Sequence, residues 1–306
     1  MNDFEEQLVR ALQQDGRASF SGLAKDLGAT RATVATRVNA MIDSGQLRVV
    51  AAVHPRVLGL NCLAHIAIRL AGDPAAAIEA LDAMESPVFI SQTTGPYQLA
   101  AELRTPTMSS LYRQIELIRS LPQVTAVEVL IYERVIRSLF LGAEPSLPDL
   151  DLNEADLRLI NLLQHDGRMS LADMAAQIGL SVSACRARMH RLLEANVMQI
   201  GAIRRRTENS QAMAFGLGIT TDGSENEAIG YLQGLPGVEF IVKCIGRFNL
   251  VATIGVASLG EYQRSVAGLR RLGSVASVDT WLHTEIVLER YEKSLDALVD
   301  AITARG

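Results

Sequence analysis

The sequence predicts an α+β fold made of two tandem modules, each a three-helix unit followed by a βαββαβ unit. Three observations carry this. Short segments recur at a constant offset of 151 residues: Asp15-Gly16-Arg17 returns as Asp166-Gly167-Arg168, and Gly95, Leu99 and Leu121 return as Gly246, Leu250 and Leu272. A constant offset leaves no net insertion between the copies, which marks a duplication. Within each copy the apolar spacing is helical at first and then alternates. Between the copies, Gly142, Pro145 and Pro148 punctuate a linker over 142–152.

Composition sets the bounds. A chain of 306 residues, 48% hydrophobic and 21% charged, is folded and holds about two domains' worth of core. Its apolar runs are short, and the start, Met1-Asn2-Asp3-Phe4-Glu5-Glu6, is acidic where a leader would be basic, so a cytoplasmic location without membrane contact is expected. Cys62, Cys185 and Cys244 are far apart with no CxxC, and the five histidines have no ligand spacing. Neither a disulfide framework, a metal site nor a cofactor is expected. The net charge of −5 hides an asymmetry: residues 1–50 carry six basic and six acidic side chains, and 151–206 eight and six, so the acidic excess lies elsewhere. Phosphate binding depends on local charge, which keeps nucleic acid open as a partner.

In the first module, Leu8, Val9 and Leu12 place a helix over Phe4–Gln14, stopped at Asp15-Gly16-Arg17. A second helix, Ser19–Leu27, turns Leu23, Ala24 and Leu27 inward behind a serine cap. A third runs from Thr30 to about Ser44, capped by Thr30. Val34, Val38 and Met41 share its inner face, leaving Arg31, Thr33, Thr36 and Asn39 outward. The second module repeats this over Glu154–His165, Ser170–Ile178 and Ser181–Ala195. Two helices at a tight corner, the second polar outside and apolar behind, form what a DNA major groove accepts. Strands at Gln46–Val53 and Met198–Arg206 lead out of the helical units.

The rest of each module reads strand, helix, strand, strand, helix, strand. The strands are 62–70, 88–94, 97–104 and 124–132, then 212–220, 238–245, 249–256 and 275–283, with helices at 74–84, 107–120, 225–235 and 259–272. Such a split βαβ unit gives an antiparallel sheet with helices on one face, and its bare face needs a partner sheet. The tail, Glu285–Ile302, reads as a helix on Leu288, Leu295, Leu298 and Val299.

These residues together resemble the Lrp/AsnC (feast/famine) family of transcriptional regulators, twice over. The likeness rests on the leucine-rich first helix ending in Asp-Gly-Arg, the hydroxyl-capped recognition helix with a central arginine (Arg37, Arg188), the exit strand and the glycine turns at Gly95 and Gly246. It implies a winged helix-turn-helix followed by a ferredoxin-like sensor (RAM) domain. The domains would be 1–53, 54–141, 153–206 and 207–306. It further implies sequence-specific binding of double-stranded DNA, a small effector (an amino acid or other metabolite), and self-association through the sensor sheets. Carried onto this chain, the DNA contacts are Arg31, Thr33, Thr36, Arg37, Ser183, Arg186, Arg188, Arg191, Arg204 and Arg205, with Arg186 and Arg191 ranked first. Arg37 and Arg188 have a second reading as braces of the fold. Arg204-Arg205-Arg206 reads as a phosphate clamp or as the guard of an edge strand.

The effector candidates are Thr94, Gly95, Tyr97 and Gln98 in the first sensor and Gly246, Arg247 and Asn249 in the second. Family turns read Gly-Asp-x-Asp, whereas here they read Gly95-Pro96-Tyr97-Gln98 and Gly246-Arg247-Phe248-Asn249. The carboxylates that hold an ammonium are missing, and Arg247 suits an anion instead. Two other readings stand beside the regulator. Fused tandem chains of this kind also resemble siroheme decarboxylases, which carry a His and a Tyr in the segment joining helical and sensor domains. Here that segment, Ala52–Gly59, has His54 out of register, and no phosphate loop or nucleophile elbow occurs, so a non-enzyme is expected. A sensor whose DNA heads have decayed would bind DNA weakly and with little salt dependence. A fused pseudo-dimer frees its heads to diverge, so its operator need not be a palindrome.

Overall fold

The structure, a computed structural model, describes residues 3–138, 145, 151–204, 213–291 and 295. The first module contains α1 (Asp3–Gln14), α2 (Phe20–Asp26), α3 (Arg31–Asp43) and β1 (Leu47–Val53), then β2 (Cys62–Leu70), α4 (Ala75–Asp82), β3 (Pro87–Thr93), β4 (Leu99–Thr105), α5 (Met108–Arg119) and β5 (Val124–Arg137). The second repeats the order with α6 (Glu154–His165), α7 (Leu171–Ile178), α8 (Val182–Glu194), β6 (Met198–Arg204), β7 (Met213–Thr221), α9 (Asn226–Gly234), β8 (Val238–Ile245), β9 (Leu250–Val256), α10 (Leu259–Arg270) and β10 (Val275–Glu289). These form two compact units that do not follow the order of the chain: both helical heads lie in one and both βαββαβ sheets in the other.

In the head unit, side-chain caps fix where the helices begin. Ser19 accepts from Gly22 N–H, Thr30 from Thr33, Ser170 from Asp173 and Ser181 from Ala184. Val34, Val38 and Met41 are buried, as their spacing required. The exit strands β1 and β6 pair with each other as an antiparallel ribbon, Val50 opposite Gly201. The helices cross over this ribbon: α1 packs on β6 and α6 on β1. Neither head therefore completes its core alone, and Leu8, Leu12, Val49, Leu159, Leu163 and Ile200 belong to one continuous cluster.

The second unit is an eight-stranded closed barrel in the order β10-β3-β4-β2-β5-β8-β9-β7. Each half contributes one ferredoxin-like sheet, with α4 and α5 or α9 and α10 on the outside over apolar cores. The last strand of each sheet is long because it serves both halves. β5 pairs with β2 over Val124–Ile131 and then with β8 from Ile131 onward. β10 pairs with β7 up to His283 and then with β3. This corrects the expected tail helix, since Glu285–Glu289 are strand, paired to β3 through registers such as Glu289 opposite Phe89. Residues 292–294 and 296–302 of that expectation, and most of the expected linker, lie outside the described residues.

Candidate functional site

Helices α3 and α8 present the outward faces that the groove argument requires. In α3, Arg31, Thr33, Thr36, Arg37 and Asn39 are exposed, as are Val182, Ser183, Arg186, Ala187 and His190 in α8. Thr33 shares a hydroxyl hydrogen bond with Thr30 (2.8 Å), and Ser183 one with Ser181 (3.0 Å), so both sit in the capping turn. Arg31 and Arg186 have no hydrogen bond or ion pair with another described residue, and their charge faces solvent.

The other arginines are engaged within the fold. Arg188 Nη1 donates to Asp156 Oδ1 at 2.9 Å, and Arg191 Nη2 to Asp156 Oδ2 at 2.6 Å. Asp156 is 0% exposed and also belongs to the capping box of α6, so one buried carboxylate holds two helices and two cations. At the corresponding place in the first head, Arg37 pairs with Glu5 at 3.5 Å. The bracing alternative for Arg37 and Arg188 thus matches their geometry, and Arg191, ranked first from the sequence, has a structural partner as well. Ionic partnering is a three-dimensional fact that charge counting along one helix misses. Arg204 ends β6. Its side chain, with Arg205 and Arg206, lies outside the described residues.

Asp-Gly-Arg does more than stop a helix. Arg17 donates to the carbonyls of Gly167 (2.7 Å) and Met169 (3.0 Å), and Arg168 to those of Gly16 (2.7 Å) and Ala18 (3.2 Å). Gly16 N–H donates to Ile200 O, and Gly167 N–H to Val49 O. A Cβ on Gly16 would meet Val49 Cγ1 at 2.8 Å and backbone at 3.0 Å, and one on Gly167 would meet Val49 O at 2.9 Å. Only glycine allows this approach. Burial lowers the pKa of both guanidiniums.

In the barrel, each glycine turn seats on the last strand of the other half. Thr94 N–H donates to Leu282 O, and Thr94 Oγ1 accepts from Leu282 N–H (3.0 Å). A Cβ on Gly246 would meet Leu130 Cδ2 at 2.5 Å. Thr94, Tyr97 and Arg247 line one cavity of about 340 Å³ together with His65, Glu128 and Trp281. Gln98 and Asn249 do not line it. Their side-chain oxygens accept from the N–H of Leu70 and Thr221, 2.9 Å each, closing the two sheets symmetrically. Gly95 is at φ +99° and serves the turn. Tyr97 OH donates to Glu128 (3.1 Å), and burial, with Glu128 beside it, pushes that hydroxyl up. Arg247 stacks on Phe248 and pairs with Asp279 (3.0 Å) and Glu128 (3.5 Å).

The remaining candidates are placed plainly. Burial pushes the Cys244 thiol up to about 12, and its Sγ donates to Phe248 O. Cys185 is buried and Cys62 half-buried. Among the described residues no cluster of metal-ligating side chains occurs, and no helix is long and apolar enough to cross a membrane. His54 is 6% exposed, its Nδ1 accepting from Arg56 N–H, and its own N–H donates to Val197 O.

Comparison with known proteins matches the AsnC-type helix-turn-helix domain at residues 1–42 and again at 152–193. The chain is 29% identical over 133 residues to the HTH-type transcriptional regulator FL11 of Pyrococcus abyssi, covering 43% of this chain and 88% of that one. It is 29% identical over 152 residues to the glutamate uptake regulatory protein of Zymomonas mobilis, covering 44% and 90%. In fold it is similar along 99% of both chains to the crystal structure of the siroheme decarboxylase NirDL, with a TM-score of 0.62 at 17% identity.

Proposed function

On the premise that both helix-turn-helix modules match the AsnC type, we propose that this chain is an Lrp/AsnC-type transcriptional regulator that binds a duplex of two unlike half-sites. The observation that carries the reading is the outward face of the two recognition helices. At positions related by the repeat, Arg31, Ala32, Thr33, Ala35, Thr36 and Asn39 of α3 correspond to Val182, Ser183, Ala184, Arg186, Ala187 and His190 of α8. Each of these pairs differs and only the engaged Arg37 and Arg188 are alike along the two helices, while the inner Val34 and Cys185, and Val38 and Met189, stay apolar. Groove readers use different side chains for different base edges, so unlike faces select unlike sequences. The fork of Arg17 and Arg168 and the β1–β6 ribbon fix the two heads to each other, which sets one spacing between half-sites.

Arg186 is the first candidate for a base or phosphate contact in the second head and Arg31 in the first. Thr33, Thr36 and Ser183 supply hydroxyls to the backbone or to base edges. The sensor barrel is read as the seat of a small effector, with Thr94, Tyr97 and Arg247 in its wall. The likeness to NirDL is one of fold, and the linking segment lends no support to decarboxylation, since His54 is buried and hydrogen-bonded locally. The test is anisotropy of a labelled duplex from upstream of its own gene, titrated at several salt concentrations. Affinity should fall steeply with salt, and Arg186→Ala should lower the log–log slope by about one. A flat salt dependence would favour decayed heads.

A further inference from the structure

The two recognition helices carry a cation and an apolar side chain in opposite order. Val182 and Arg186 lie one turn apart on a shared face of α8, and the positions related to them by the repeat hold Arg31 and Ala35 in α3. The guanidinium therefore stands at the first helical position of α3 but a full turn later in α8. Val182 is 44% exposed at the start of a helix whose outer face is otherwise polar or small. Neither burial nor helix propensity accounts for a valine there, since β-branched residues are weaker helix formers than alanine or arginine.

The polar neighbours of this pair are engaged. Ser183 shares a hydrogen bond with the Ser181 cap, His190 pairs with Glu194 at 2.9 Å, and Arg188 and Arg191 hold Asp156. Arg186 has no such partner among the described residues, and the exposed Ala187 beside it is short enough to let the helix come close to a surface. Neither α3 nor α8 bears a carboxylate before its last residue, Asp43 or Glu194, so the leading turns hold nothing that repels phosphate or accepts from the amino group of cytosine.

We propose that α8 reads a thymine and a guanine that lie one or two base pairs apart, with Val182 against the thymine C5-methyl group and Arg186 donating to guanine O6 and N7. The methyl group is the apolar feature of a base edge in the major groove, and the O6 and N7 pair is the acceptor set that a guanidinium fork matches. One turn of helix rises about 5.4 Å against about 3.4 Å per base pair, which sets the separation. In α3 the guanidinium leads and the half-buried Ala35 follows, so the first half-site does not share this step. The inference rests on the regulator reading and names the bases for its second half-site.

The probe is a duplex enriched by the full chain from a random-sequence library, in which each thymine in turn is replaced by uracil, a change that removes the methyl group alone. Anisotropy at fixed salt should single out one thymine at which uracil weakens binding about fourfold, the effect of losing one methyl-sized apolar contact. It should lie within two base pairs of a guanine whose replacement by adenine no longer matters to Arg186→Ala. Val182→Ser should bind the thymine and uracil duplexes alike. The uracil scan of the wild type decides the matter even if Val182→Ser does not fold. Uracil without effect at every position, or an effect that Val182→Ser leaves intact, overturns the inference, while binding that still depends on Arg186 keeps the regulator reading. A chain that enriches no duplex overturns both.

Discussion

Arg17 and Arg168 each cross to the opposite head, and either guanidinium donates to two backbone carbonyls around the other's glycine. This reciprocity turns two copies of a small helical unit into one body. A head of about fifty residues on its own would have little core, and here α1 and α6 each find theirs on the other copy's strand.

Removing one fork should therefore destabilise the head unit. Hydrogen bonds from a charged donor contribute about 1.5–3 kcal/mol each, so Arg17→Ala is expected to cost about 2 kcal/mol or more in urea unfolding. Arg17→Lys should recover little of it, because an ammonium cannot span two carbonyls as a guanidinium does. Equal stability of Arg17→Lys and wild type would show that the fork geometry is unimportant.

Gly167→Ala places a methyl 2.9 Å from Val49 O, where backbone rather than a flexible side chain must give way. Overpacking of this kind costs about 1–3 kcal/mol. The loss should appear in the melting temperature, together with weaker DNA binding through disturbed head spacing. An unchanged melting temperature would mean that the ribbon yields freely.

Much of this architecture was legible in the chain. The repeat gave two modules, and cap residues with inner apolar triplets such as Val34, Val38 and Met41 located the helices, because both signals are local. The crossing of α1 onto β6 was not legible, since Leu8 and Leu12 look the same whichever strand they cover. Nor was the length of β10: Leu288 and its neighbours fit a helical period, and only pairing with β3 makes them strand. The site divides in the same way. Exposed Arg31 and Arg186 follow from the helical period, but the engagement of Arg191 by Asp156 joins residues 35 apart and leaves no local trace. Likewise the place of Gln98 and Asn249 in the turns suggests effector contacts, and the acceptance by their oxygens from the β2 and β7 backbones is visible only in three dimensions.

The partnering of the arginines separates two substitutions that composition would treat alike. Arg186→Ala should weaken DNA binding by tenfold or more with an unchanged melting temperature, as expected of a solvent-facing cation. Arg191→Ala should lower the melting temperature, because it strips one partner from the buried Asp156 carboxylate. Anisotropy and thermal unfolding on both variants check this, and the reverse pattern would move the groove contact to Arg191.

Acid should loosen the barrel through His65. Burial holds its imidazole at about 4, down from the ordinary 6.5. Between those values the unfolded chain binds the proton and the folded chain does not. The associated stability is fully present above about pH 6.5 and declines as the pH falls toward 4, by about 3 kcal/mol in all. Urea unfolding of the wild type and His65→Phe at pH 7 and pH 4.5 should show a smaller acid loss in the variant, and parallel losses would place the titration elsewhere.

The most direct measurement is selection of duplexes from a random-sequence library by the full chain, followed by sequencing of the bound pool. Two different half-site motifs, in fixed order and at one spacing, are predicted, with Arg186→Ala relaxing only one of them. A palindrome of identical half-sites, or no enriched motif at all, would contradict the reading of two diverged heads on one duplicated chain.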